Sequence, residues 1–119
     1  MKKILLVEDD PLLVDIYRTK FESAGFLVVI VNDGERAIEV AQKEMPDAIM
    51  LDIVLPKMDG WEILRNIKKN NSGAKVIILS NLGQKEEVEK GLKLGAEKYL
   101  IKANFTPSEV VAEIEKLFI

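Results

Sequence analysis

Apolar residues fall along this chain in two alternating rhythms. Five short apolar runs have the length of strands: "KILLV" (Lys3 to Val7), "LVVIV" (Leu27 to Val31), "AIML" (Ala48 to Leu51), "KVIIL" (Lys75 to Leu79) and "KYLI" (Lys98 to Ile101). Between them the apolar positions recur every three or four residues. Leu13, Ile16, Tyr17, Phe21 and Ala24 share one face of a first helix, with Asp10 as N-cap, Pro11 at the first helical position and Gly25 as the stop. "GERAIEVAQKE" (Gly34 to Glu44), ended by Pro46, and "GWEILRNIKKN" (Gly60 to Asn70), running out in "NNSG", read as the second and third helices. The fourth, roughly Gln84 to Leu94, has only Val88, Leu92 and Leu94 as large apolar residues and is expected to be the most loosely held. The fifth opens with "TPSE": Thr106 caps it, Pro107 begins it, and Glu109 completes a capping box.

Five strand-to-helix alternations imply a parallel sheet covered on both faces and joined by right-handed crossovers. The expected fold is α/β, a doubly wound five-stranded parallel sheet of order 2-1-3-4-5, flavodoxin-like, in a three-layer sandwich; a Rossmann-type half would give a similar string. The 119 residues suit one domain, 1–119, with its own core and no linker.

Composition then removes whole classes of chemistry. The chain is 48% hydrophobic and 31% charged with a net charge of −3, which gives no general electrostatic reason to bind nucleic acid. It has no cysteine and no histidine, so disulfides, thiolate metal sites, His-based triads, His-ligated zinc and a phosphohistidine on this chain are all excluded. The opening "MKKILLVEDD" has too short an apolar run for a signal peptide or a membrane span, so a cytoplasmic protein with no membrane partner is expected.

Candidate chemistry lies at the strand ends. In such folds ligands meet the carboxyl ends of the strands near the point where strand order reverses. The first strand runs into Glu8 and Asp9, the third into Asp52, the fourth into Ser80 and the fifth into Lys102; these four strands would be neighbours, so the residues converge on one rim. Asn32 and Asp33, after the edge strand, are assigned to a turn. Two carboxylates about 4 Å apart repel by about 4 kcal/mol at an effective dielectric of 20. Three grouped acids therefore need more counter-charge than Lys102 supplies, and an all-oxygen site with open positions suits Mg²⁺. That setting makes Asp52 a carboxylate nucleophile for a phosphoryl group, with Lys102 neutralising charge on the transferring oxygens and Ser80 donating to one of them.

In order and spacing, "ILLVEDD", "IMLDIVLPKMDG", "VIILSN" and "YLIKA" make the whole chain resemble a receiver domain of the two-component response regulators. The resemblance implies that Asp52 is the phosphoacceptor and that Glu8 and Asp9 hold Mg²⁺ directly or through water, with the backbone carbonyl of Val54 a further ligand. It implies Ser80 as the hydroxyl switch, Lys102 as the phosphate-pairing lysine and Tyr99 as the aromatic whose rotamer reports the state. The implied partner is a sensor histidine kinase or phosphotransfer protein. The implied output surface, and possible homodimer face, is helix 4, strand 5 and helix 5. The chain would not be an enzyme beyond self-catalysed phosphoryl transfer and slow autodephosphorylation.

Ala103 departs from that family, which usually has proline there after a cis bond. A cis bond to alanine costs about 2.5–4 kcal/mol, leaving either strain beside the site or a trans bond and a different loop. Val54 and Leu82, which flank the phosphorylation site in that family, are apolar and cannot hold an attacking water. Taken singly, Asp9 and Asp10 suit a helix N-terminus, "MDG" suits a turn, Ser80 suits a helix cap, and Tyr99 suits half-buried packing. Two other functions compete. A phosphatase of haloacid dehalogenase type would need a second Asp where Val54 stands. A flavin-phosphate module would need Ser, Thr or Gly donors where "EDDP" stands.

Overall fold

The computed structural model describes residues 1–119, and the strands and helices alternate throughout. The strands are β1 (Lys3–Val7), β2 (Leu27–Val31), β3 (Ala48–Leu51), β4 (Val76–Ser80) and β5 (Lys98–Ile101). The helices are α1 (Pro11–Ser23), α2 (Gly34–Glu44), α3 (Gly60–Asn70), α4 (Lys85–Lys93) and α5 (Pro107–Glu115). All strand pairs are parallel in the order β2-β1-β3-β4-β5, so the flavodoxin-like reading holds and the Rossmann-type half is set aside.

The period of two along each central strand divides the core between the sheet's faces. Leu5, Val7, Ile49, Leu51, Val76 and Ile78 point toward α2 and α3, where Ala37, Ile63, Leu64 and Ile67 meet them. Ile4, Leu6, Ala48, Met50, Ile77 and Leu79 point the other way, onto Tyr17 and Phe21 of α1 and Val110, Val111 and Ile114 of α5. With both faces covered, the only places for polar side chains along β1, β3 and β4 are the strand ends.

The helix ends follow their sequence signals. Asp10 accepts from the Leu12 N–H with Pro11 at the first position, and Thr106 and Glu109 form the capping box before α5. Gly25 takes the left-handed conformation after α1, at φ 93°. Three expectations need correction. Asp33 is not a turn residue but the N-cap of α2, accepting from the Arg36 N–H. Ala24 is exposed because it sits at the C-cap, past the last buried turn; Phe26, just beyond, packs edge-on against Phe21 instead. β4 begins at Val76 and includes Ser80, which pairs with Ile101, while Lys75 reaches the Leu117 carbonyl. In α4, bounded by Gln84 and Leu94 as caps, Leu92 is exposed and the one buried residue is Gly91.

The turn into α3 holds the closest approach at any glycine of the chain. Asp59 caps the helix through the Trp61 N–H, and Gly60 donates its own N–H to the Ile53 carbonyl. A Cβ on Gly60 would stand 2.3 Å from both the Cα and the carbonyl oxygen of Ile53, backbone atoms that cannot rotate away. Gly60→Ala is therefore expected to lower unfolding stability by about 3 kcal/mol, read as a reduced urea midpoint at unchanged slope. An unchanged midpoint would show that α3 can back away from β3 at no cost.

Candidate functional site

The carboxyl ends of β1, β3 and β5 bring Glu8, Asp9, Asp52 and Lys102 together. Glu8 follows β1 directly and is 2% exposed; Asp52 follows β3 and is 7% exposed. Both are buried charges, which persist only when paired and hydrogen-bonded. Glu8 Oε2 accepts from the backbone N–H groups of Asp9 at 3.0 Å and Asp10 at 3.2 Å, at the start of α1, and Oε1 accepts from Lys102 Nζ at 2.7 Å. Asp52 Oδ1 accepts from the Val54 N–H at 3.0 Å, and Oδ2 accepts from the same Lys102 Nζ at 2.7 Å. One ammonium thus bridges two carboxylates delivered by different strands.

The electrostatics follow from that bridge. Burial pushes the Glu8 carboxyl above the usual carboxylate range, against the pull of Lys102 and the Asp10 N–H. Burial also pushes Lys102 down, but its hydrogen bonds and charge contacts with Asp52 and Glu8 outweigh burial and hold it above an ordinary lysine. Asp9 is exposed and its carboxylate accepts no hydrogen bond from the protein. Carboxylate oxygens of Glu8, Asp9 and Asp52 all lie within 4.8 Å of one another, and Lys102 answers only one of the three charges. An all-oxygen, over-charged donor set of this kind fits a hard divalent cation that keeps several waters.

Lys102 reaches the cup from an altered loop. The chain contains no cis peptide bond, so Lys102–Ala103 is trans, and Lys102–Asn104 close into a 3-10 turn. Of the two geometries the sequence leaves open, the loop takes the second.

Ser80 and Tyr99 act on a single residue. Ser80, 0% exposed at the end of β4, accepts the Leu82 N–H at 3.2 Å. Tyr99 points inward and donates its phenol to the Leu82 carbonyl. The peptide groups of Leu82 are therefore held from both sides, a link that sequence spacing does not reveal. The helix-cap reading of Ser80 is set aside, because Gln84 caps α4. Val54, the remaining expected site residue, contributes its N–H to Asp52 while its side chain is 58% exposed.

Two neighbours went unnoticed in the sequence. Tyr17, expected only as core, lies close enough to the cup that the charges of Lys102, Glu8 and Asp52 act on its phenol, which burial pushes up. Gly91 of α4 lies against Tyr99: a Cβ there would stand 2.6 Å from Ile78 Cδ1 and 2.8 Å from Tyr99 Cδ2.

Many known proteins are similar to this chain in sequence or fold. Residues 4–115 match the family model described as response regulator receiver domain. The chain is 38% identical over 113 residues to a probable transcriptional regulator ycf27 of Guillardia theta, covering 95% of this chain and 44% of that protein. It is 34% identical over 116 residues to the alkaline phosphatase synthesis transcriptional regulatory protein PhoP of Bacillus subtilis, covering 98% and 48%. It thus spans about half the length of the curated relatives it matches. Among solved structures, the Francisella response regulator 1452 receiver domain superposes with a TM-score of 0.92 at 32% identity, covering 99% of this chain and 97% of that one. The CheX-CheY-BeF3-Mg complex of Borrelia burgdorferi gives a TM-score of 0.92 at 30% identity, covering 99% and 90%. With sheet order, acidic cup and sequence all in agreement, this chain belongs to the receiver domain family of the two-component response regulators.

Proposed function

We propose that the chain, acting as one receiver domain over residues 1–119, accepts a phosphoryl group on Asp52 from the phosphohistidine of a sensor kinase or phosphotransfer protein. The observation that carries this reading is the bridge itself. Asp52 is a buried carboxylate held by a lysine on one oxygen and a backbone N–H on the other, beside Glu8 and the open Asp9. An Asp52 oxygen forms the new O–P bond as the donor's N–P bond breaks, and the imidazole leaves with the electron pair. Lys102 shifts its charge onto the transferring oxygens, and the Ser80 hydroxyl, already accepting from Leu82, has its own proton free to donate to one of them.

Asp9, Asp52 and the Val54 carbonyl would hold Mg²⁺, with Glu8 behind them or acting through water, and bound there the ion would neutralise phosphoryl charge. The Glu8 carboxylate, saturated by two N–H groups and Lys102, serves first as the anchor of Lys102.

Drawing the Ser80 hydroxyl toward a phosphoryl oxygen strains its hold on Leu82, and Tyr99 and α4 respond. A complete switch from 1:99 to 99:1 needs about 5.5 kcal/mol of differential interaction, so one hydroxyl and one lysine give a partial shift in isolation. The face of α4, β5 and α5 is the surface this movement offers to a partner or a second copy. Proteins named as transcriptional regulators share this domain, but the net charge of −3 gives the chain no general footing on nucleic acid. The phosphatase reading fails at Val54, where an exposed apolar side chain stands in place of a general acid.

Intact mass after incubation with acetyl phosphate and Mg²⁺ tests the proposal: one phosphoryl increment is expected, and none would refute it. A further result is expected of the product. Val54 is apolar and exposed and Leu82 apolar and half-buried, so neither side chain can hydrogen-bond an attacking water. The phosphoaspartate should therefore hydrolyse slowly in Mg²⁺ buffer, and reversion within seconds would contradict this.

A further inference from the structure

Away from the acidic cup, at the opposite, amino-terminal ends of β3 and β4, α2 and α3 part company. Near the start of α2 they are in close contact: a Cβ on Gly34 would stand 2.7 Å from Ile63 Cδ1 and 2.9 Å from Met58 Cβ. Toward their C-terminal ends, Ala41 on α2 and Ala74 ahead of β4 are too small to close the gap. A cleft of about 360 Å³ opens there, floored by the buried Ile49 and Ile67.

Three features give the cleft a chemical character. No ionisable side chain lines it, and its polar side chains are the amides of Gln42, Asn70 and Asn71. The end of α2 that closes it leaves the carbonyl of Gln42, a lining residue, without a backbone donor in the protein. It would be answered by residue 45 or 46, but the Met45 N–H makes no backbone bond and Pro46 has no N–H. At the mouth, Met45 holds a left-handed backbone, φ 47° and ψ 56°, with 68% of its surface exposed, at a position where glycine or asparagine is usual. The only other non-glycine residue at positive φ is Lys57, in the loop beside the acidic cup. Backbones of this kind gather at ligand sites.

We propose that this cleft between the C-terminal ends of α2 and α3 binds a small uncharged ring compound that carries an N–H or O–H donor. The apolar floor takes the ring, and the donor answers the open Gln42 carbonyl and the side-chain amides, which a purely apolar guest would leave unpaired. A charged ligand finds no counter-charge among the lining residues. The inference is independent of the role of Asp52.

Titration of the Ile methyl groups by NMR with indole tests this. Saturable shifts centred on Ile49 and Ile67 are expected, at a dissociation constant of about millimolar for so small a probe. Benzofuran, the same shape without the donor, should bind at least about tenfold more weakly, and benzoate should not bind. Ala74→Leu and Ala41→Leu, which fill the cleft from opposite walls, should each abolish the shifts. Nuclear Overhauser contacts from indole to the Ile49 and Ile67 methyls in the parent protein decide the location even if neither variant folds. Shifts that fail to saturate, contacts elsewhere, equal binding of benzofuran, or binding that survives both variants would overturn the proposal.

Discussion

Asp52→Asn is expected to abolish phosphoryl uptake altogether: no increment in intact mass under conditions where the parent chain takes one. The amide cannot attack phosphorus as a carboxylate does, and no other nucleophile in the cup is equally placed. Glu8 has both oxygens committed to N–H donors and Lys102, and Asp9 lacks the lysine. The fold should survive the change, because Lys102 keeps its 2.7 Å contact with Glu8 and one buried carboxylate replaces two. Mg²⁺ is expected to stabilise the parent thermally and the variant less, since a ligand that binds only the folded state stabilises it by its affinity. These readouts separate the possibilities. A variant that folds, responds less to Mg²⁺ and takes no phosphoryl group supports Asp52 as acceptor. A variant that still gains the increment places the phosphoryl group on another residue.

How much of this was legible in the sequence depends on which interaction fixes each feature. Strands of a covered parallel sheet betray themselves as apolar runs, so β1 and β3, and even the partly exposed edge strands β2 and β5, coincide with "KILLV", "AIML", "LVVIV" and "KYLI". The cup was legible for a related reason. Glu8, Asp52, Ser80 and Lys102 are polar residues at the ends of apolar runs, and strand order alone makes those ends converge. What remained hidden depends on backbone groups and on distances between elements. The Asp9, Asp10 and Val54 N–H groups that stabilise the carboxylates have no side-chain signature, nor does the double hold on Leu82. The Gly60 contact with Ile53 and the Gly91 contact with Tyr99 arise from close approach in space, and "MDG" and "EKG" look alike whether or not anything lies opposite. Asp33 was missed for a plainer cause: "NDG" suits a turn, and only the placement of α2 makes its carboxylate a cap.

Lys102→Met should be the most destabilising change in the cup, because it removes the one cation between two buried carboxylates while keeping most of the side chain's apolar length. Breaking a buried pair in this way costs about 3–5 kcal/mol, much of it the penalty of leaving charge unanswered. Two tests distinguish that origin from lost packing. Glu8 already has a carboxyl pKa raised by burial in the folded state, with Lys102 opposing the rise. Without Lys102 the folded-state value climbs further above the unfolded one, so the folded protein binds a proton more readily than the unfolded chain. The penalty is then fully present above the raised pKa and is relieved as pH falls through it. Mg²⁺, drawn to the same oxygens, should relieve it at neutral pH, so urea midpoints of parent and variant should converge both on mild acidification and on adding the ion. A deficit that stays constant across pH and Mg²⁺ would mean that Lys102 stabilises the fold through its methylene packing, and that the charges of Glu8 and Asp52 are compensated by the backbone alone.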